Sequence, residues 1–270
     1  MTAATRGNFG TGVDFSSSPD RGGIVAGFEA VPRLLVSVRS QEEAEIAMAG
    51  GADILDIKEP KLGSLGMASM AEIIAISQHP GRDLRPAVPL SVALGELTDW
   101  SGSAIPSLPA GIQFAKLGLS RCSRVSNWVT EWLRVRAEFD KRSNSKLHWV
   151  AVAYADASAA AAPGIRSISE AAIKTGCAGL LIDTWTKDGR SLLDELDVSL
   201  LSSIAETCHK SGLFLALAGR LSSDMLPALR DVRADVLAIR SAGCRGSNRT
   251  AELDSSKVTE FRHRIHDCYV

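Results

Sequence analysis

Residues 34–57, LLVSVRSQEEAEIAMAGGADILDI, decide the fold class. LLVSV (34–38) is a short apolar run rich in β-branched residues, a strand signal. SQEEAEIAMAGG follows, with Ser40 and Glu43 at capping-box spacing and Ala44, Ala47 and Met48 at helical spacing. Gly50 and Gly51 end that helix. DILDI (53–57) is the second strand. Two strands separated by one helix pair in parallel through a right-handed crossover.

The unit recurs along the chain. Ser69 and Glu72 open a second helix with Ile73 and Ile76 inward, and VPLSVAL (88–94) is the third strand. GSAIPSLPAG reads as a weak helix broken by Pro106 and Pro109, before IQFAKLGL (112–119), the fourth strand. A helix over 124–141, with Trp128, Trp132 and Val135 on one face, leads to LHWVAVAYA (147–155). A helix over 165–176 stops at Gly176, and AGLLIDT (178–184) is the sixth strand. Residues 198–211 carry the stripe Leu201, Ile204, Ala205 and Cys208, followed by LFLALAG (213–219). A short helix over 222–231 and DVLAIR (235–240) complete eight strands, and Asp254 caps a last helix with Val258, Phe261 and Ile265 inward. Several strands are apolar on both faces, as in a sheet covered by helices. Eight units over about 235 residues predict one (β/α)8 TIM barrel from residue 33 to 270. An open doubly wound sheet would call for GxGxxG after the first strand, and SVRSQEEA has none. Residues 1–32, rich in Gly and Ser, are expected to form a flexible N-terminal extension outside the barrel.

Bulk composition narrows the function. The formal net charge is −1, so a nucleic-acid footprint is not expected. Five dispersed cysteines, none at CxxC spacing, point to a reduced cytoplasmic protein with neither a disulfide framework nor a zinc site. No apolar run is long enough to span a membrane, and neither metal nor cofactor is expected. Assembly into a homo-oligomer is left open.

In a barrel of this kind chemistry lies at the C-terminal ends of the strands. Residues two apart on a strand share a face, so Ile54, Asp56 and Lys58 point one way, and Leu55 and Ile57 the other. An unpaired charge buried on a strand costs several kcal/mol, about 2–7 even for a neutral polar group, which makes Asp56 and Lys58 surface or site. Lys116 ends the fourth strand, Asp156 the fifth, and Asp183 the sixth with Lys187 four residues on. These six are the candidate site. A lysine acting as nucleophile or base needs its pKa brought down from about 10.4 by about three, worth ~4 kcal/mol, through burial or neighbouring cations. Such a set suits Schiff-base carbonyl chemistry or proton abstraction beside a carbonyl. Gly219 ends the seventh strand, and RSAGCRGSNR (240–249), with Arg240, Gly243 and Arg245, follows the eighth. Loops in these two places often bind phosphate through backbone N–H groups. Asp156, Gly219, Arg240 and Gly243 are the expected substrate-binding residues.

RLLVSVRSQEEAEIAMAGGADILDIKEPKLGSLG resembles the opening of the (5-formylfuran-3-yl)methyl phosphate synthase family. The resemblance continues through FAKLGL, VAYADA, LLIDTWTKDGRSLLD, LALAGR and IRSAGCRGSNR. It implies a TIM barrel that condenses two glyceraldehyde 3-phosphate molecules into a furan aldehyde phosphate, with loss of phosphate and water. The product would supply a methanofuran-type one-carbon carrier. It further implies Lys58 as the Schiff-base lysine and Lys116 as the proton acceptor, with Asp56, Asp183 and Lys187 at other active-site positions. Glu59 and Ser241 depart from the family's pattern, where asparagine and glycine are expected. A general Schiff-base aldolase on sugar phosphates and a non-catalytic phosphometabolite-binding module are the alternatives.

Overall fold

The computed structural model describes residues 31–78, 88–186 and 189–270. The expected extension falls almost wholly outside these residues, as does Lys187. Eight strands form a closed barrel in sequence order, every neighbouring pair parallel. They are β1 (Arg33–Val38), β2 (Ile54–Ile57), β3 (Leu90–Glu96), β4 (Ile112–Gly118), β5 (His148–Tyr154), β6 (Gly179–Asp183), β7 (Phe214–Leu217) and β8 (Val236–Ile239). The helices are α1 (Gln41–Ala49), α2 (Met70–Ser77), α3 (Trp128–Arg142), α4 (Ile165–Lys174), α5 (Leu192–Glu195), α6 (Val198–Lys210), α7 (Leu226–Leu229) and α8 (Ser255–Tyr269). The expected TIM barrel is therefore present.

Strand alternation divides the core in two. Leu34, Val36, Leu55, Ile57, Leu180 and Leu237 face outward into the layer between sheet and helices. Leu35, Ile54, Phe114, Val150, Leu181, Phe214 and Val236 fill the barrel. Phe114 and Phe214 meet edge to face, with centroids 5.8 Å apart, inside it. The inward set of α8, Val258, Phe261 and Ile265, is buried as the spacing requires.

Two local readings change. Ser40 does cap α1, its side chain accepting from the Glu43 N–H. The return half of a capping box is absent, because the Glu43 carboxylate accepts from the Arg39 N–H at 3.0 Å and is bonded to Arg240. Glu43 is a buried tie to the last strand. No α-helix forms between β3 and β4: a 3₁₀ turn (Leu97–Trp100) gives way to irregular chain through Pro106 and Pro109. Trp100 takes the place of a helix, packing edge to face on Phe139 at 5.0 Å and donating its indole N–H to the Leu94 carbonyl.

Candidate active site

An open cavity of about 830 Å³ occupies the C-terminal mouth of the barrel. Ile54, Phe114, Leu181 and Phe214 are among its apolar lining. Asp56, Lys58, Lys116, Asp183, Gly219 and Arg240 also line it, so six of the expected residues meet there. The Ile54–Asp56–Lys58 face of β2 therefore points inward, into the cavity.

Asp56 is the hub. Its Oδ1 accepts from Lys116 Nζ at 2.5 Å, and both side chains are almost fully buried. Ser37 Oγ lies 3.4 Å from the other carboxylate oxygen. Burial pushes the Asp56 carboxyl up, but the charges of Lys116 and Lys58, with hydrogen bonds from Lys116 and Ser91, outweigh it and hold the pKa below the usual range. Two amines thus share one carboxylate. Asp183 ends β6 inside the same cavity, its Oδ1 accepting the Thr184 N–H at 2.8 Å.

The loop after β2 closes over this group. Lys58 Nζ contacts the Ser64 carbonyl at 3.4 Å. Ser64 Oγ donates to the Thr184 carbonyl at 2.6 Å, which ties the loop across the mouth to the end of β6. Gly63 O accepts from Arg249 Nη2 at 2.9 Å. The GSLG run is thus a strap joining the ends of β2, β6 and β8.

Asp156 stands apart from the cavity lining. It accepts from the N–H groups of Trp185 and Thr186 at 2.6 and 2.7 Å and from the Thr186 hydroxyl at 2.6 Å. Burial raises its pKa, but these hydrogen bonds overcome that and leave it lowered. Its place is that of a clamp on the loop leading to Lys187. Gly243 also lies off the cavity, packed in the 3₁₀ turn (Ser241–Gly243) near Leu253 and Val258. Arg245 is exposed and paired with Glu252 at 3.3 Å.

Arg240 lines the mouth, but the protein takes all five of its donors. Nη1 and Nη2 bridge Glu43 at 2.5 and 3.0 Å. The remaining bonds go to the carbonyls of Ser37, Ala251 and Arg249. Arg220 and Arg249 also line the cavity, and sequence reasoning singled out neither. Gly219 (φ +100°) and Arg220 (φ +52°) both adopt left-handed backbone, which turns the chain sharply at the exit of β7. Among the described residues, the backbone N–H groups of Gly219, Arg220, Ser241 and Ala242 find no protein acceptor. Such N–H groups beside cationic side chains suit a bound oxyanion.

A second buried acid was also missed. The register of β3 on β4 slips between Ala93 and Glu96, and Gly95 there has φ +75°. The extra residue reverses the alternation and turns Glu96 toward β4, a common use of a bulge beside an active site. A Cβ on Gly118 would lie 2.4 Å or less from the Glu96 carboxylate, so only glycine leaves it room. Tyr154 donates its hydroxyl to Glu96 at 2.6 Å, and the Ser120 N–H donates at 2.8 Å. Burial raises the Glu96 pKa against these bonds. A raised folded-state pKa favours folding fully below the unfolded value and loses that contribution as pH rises through the folded one. The stability of wild type relative to Glu96→Gln is therefore expected to fall from about pH 4.5 upward, the usual glutamate value. Urea melts of both proteins across pH 4–8 would show it, and parallel curves would exclude it.

Among the described residues no group of three or more His, Cys, Asp or Glu is placed to hold a metal ion. Among them, too, no helix is long and apolar enough to cross a membrane.

Residues 34–262 match the family model for 4-HFC-P synthase. The chain belongs to the 4-HFC-P synthase family. A curated relative from Methanocaldococcus jannaschii, (5-formylfuran-3-yl)methyl phosphate synthase, is 33% identical over 236 residues, covering 85% of this chain and 97% of the relative. The protein of the same name from Methanopyrus kandleri is 31% identical over 243 residues, covering 87% and 99%. Among solved structures, KGPDC from Streptococcus mutans superposes with a TM-score of 0.55 at 13% identity, over 89% of this chain and 100% of that one. At that identity the likeness concerns the fold. The family match spans every strand from β1 to β8, so all the cavity residues described above lie within the shared region.

Proposed function

We propose that this protein is a (5-formylfuran-3-yl)methyl phosphate synthase that joins two glyceraldehyde 3-phosphate molecules through an imine on Lys58. The observation that carries the reading is the arrangement of Lys58 and Lys116 around one buried carboxylate, Asp56, in a cavity with a cationic rim. The names of its relatives point the same way.

In this scheme the Lys58 amine adds to the aldehyde of one triose and expels water, giving an imine. The imine acidifies the neighbouring C–H, and Lys116, once its ammonium has passed a proton to Asp56, takes the C–H proton. The resulting enamine expels the phosphate from C3, and the terminal enol carbon so formed attacks C2 of the second triose, isomerised to its ketone, to make the new C–C bond. Ring closure, loss of two waters and hydrolysis of the imine, which returns the water expelled when it formed, release the furan and free Lys58. The net balance is two trioses to one furan aldehyde phosphate, one phosphate and two waters. Asp183, with Lys187 beyond it in sequence, serves the later proton transfers. The small apolar walls, Leu181, Phe214 and Ala216 among them, limit water around the imine.

Purified protein given glyceraldehyde 3-phosphate alone should produce a furan aldehyde absorbing in the near ultraviolet and release inorganic phosphate in equal amount. A six-carbon product with both phosphates retained would mean a simple aldolase. Binding without turnover would mean a non-catalytic module.

A further inference from the structure

Two arginines from the end of β8 and the loop beyond it reach the mouth in different states. Arg240 has no donor left, as described above. Arg249, half-buried on the same cavity, makes one side-chain hydrogen bond, from Nη2 to the Gly63 carbonyl at 2.9 Å. Its Nε and Nη1 bond to none of the described residues. Asp183 lines the same cavity, and burial lowers the Arg249 pKa against the opposing charge of that carboxylate.

The backbone that carries Arg249 is fixed by the residues that leave its side chain available. Arg240 Nε holds the Arg249 carbonyl and Arg240 Nη2 holds that of Ala251, both at 2.9 Å. Arg39 Nη1 holds the Thr250 carbonyl between them at 2.8 Å. Both arginines are anchored by the buried carboxylate of Glu43. Three successive carbonyls are therefore pinned, and one cation is presented to the cavity at low conformational cost. Its single tether, Gly63, precedes Ser64, whose carbonyl contacts Lys58 Nζ. The strap over the mouth is thus held by a cation on each of two adjacent carbonyls.

We propose that Arg249 is the side chain that recognises the phosphate ester of a substrate, exchanging its bond to Gly63 for the anion and so loosening the strap that also contacts Lys58. The geometry favours a planar fork on two phosphate oxygens, with the open N–H groups after β7 and β8 completing the shell. Glu43 and Arg240 act as positioning residues. The inference deepens the proposed function, since it takes the substrate to be phosphorylated.

The test separates the two. Inorganic phosphate is titrated calorimetrically into folded wild type, Arg249→Lys and Arg249→Gln. Glutamine removes the charge while keeping an amide donor on the side chain. Phosphate affinity is expected to fall about tenfold or more in Arg249→Gln, and less in Arg249→Lys. Hydrogen exchange across residues 59–66 is expected to quicken on phosphate addition in wild type and not in Arg249→Gln. With glyceraldehyde 3-phosphate, KM is expected to rise with the loss of affinity while kcat changes less. Equal phosphate affinity in wild type and Arg249→Gln overturns the inference, as does a wild type that does not bind phosphate. Wild type that binds phosphate through Arg249 but makes no furan would retain this inference and remove the proposed synthase activity.

Discussion

Borohydride added to the protein during turnover of glyceraldehyde 3-phosphate should leave a reduced adduct on Lys58. Only an imine is fixed in this way, so the mass added to the tryptic peptide names the nucleophile. Lys58→Ala should lower kcat/KM by about three orders of magnitude or more, equivalent to ~4 kcal/mol of transition-state stabilisation. Lys58→Arg keeps a cation on the strand but supplies no amine that loses its proton near neutrality, and it should be equally inactive. The loss should not reflect unfolding. Lys58 is only partly buried, and its contact to the Ser64 carbonyl is long, at 3.4 Å. Thermal melts within a few degrees of wild type would establish that. An adduct on Lys116 or Lys187 with Lys58 unmodified would reverse the roles proposed here.

The candidate site was legible in the sequence where strand geometry dictates direction. Asp56, Lys58 and Lys116 lie on strand faces of fixed alternation, so their convergence follows from period two and the closure of eight strands. Glu96 escaped because the bulge at Gly95 breaks that alternation, and period two by itself does not show where an extra residue sits. A glycine just before an acid at a strand end was the available signal. Glu43 was legible as a helix-start acid but not as the anchor of Arg240, because that contact joins residues 197 apart in sequence. Arg249 lies in an irregular loop, where no period relates residue number to side-chain direction. The expected helix after β3 fails for a reason also present in the sequence: Pro106 and Pro109 remove donors, and Trp100 with Leu108 covers the barrel instead.

Lys116→Met should reverse the way stability depends on pH. In wild type the Asp56 pKa is lower folded than unfolded, so the carboxylate favours folding above its unfolded value of about 3.8, a contribution lost as pH falls through the folded value. Burial is the largest single influence on Asp56 and acts upward, and only the two lysines with their hydrogen bonds overcome it. Removing Lys116 deletes the nearer cation and its 2.5 Å bond, leaving Lys58 alone against burial. The folded pKa of Asp56 should then exceed the unfolded one, with that group's stabilisation present in acid and lost as pH rises. At pH 7 the single variant should lose about 3–5 kcal/mol, the usual consequence of orphaning one member of a buried ion pair. Asp56→Leu with Lys116→Met replaces both charges by apolar groups of similar size and should recover most of that loss. Activity should stay absent in the double variant. Stability that returns while furan formation does not would show that the pair is retained for chemistry. A Lys116→Met protein whose stability follows wild type across pH 3–8 would mean that the two side chains are not coupled in solution.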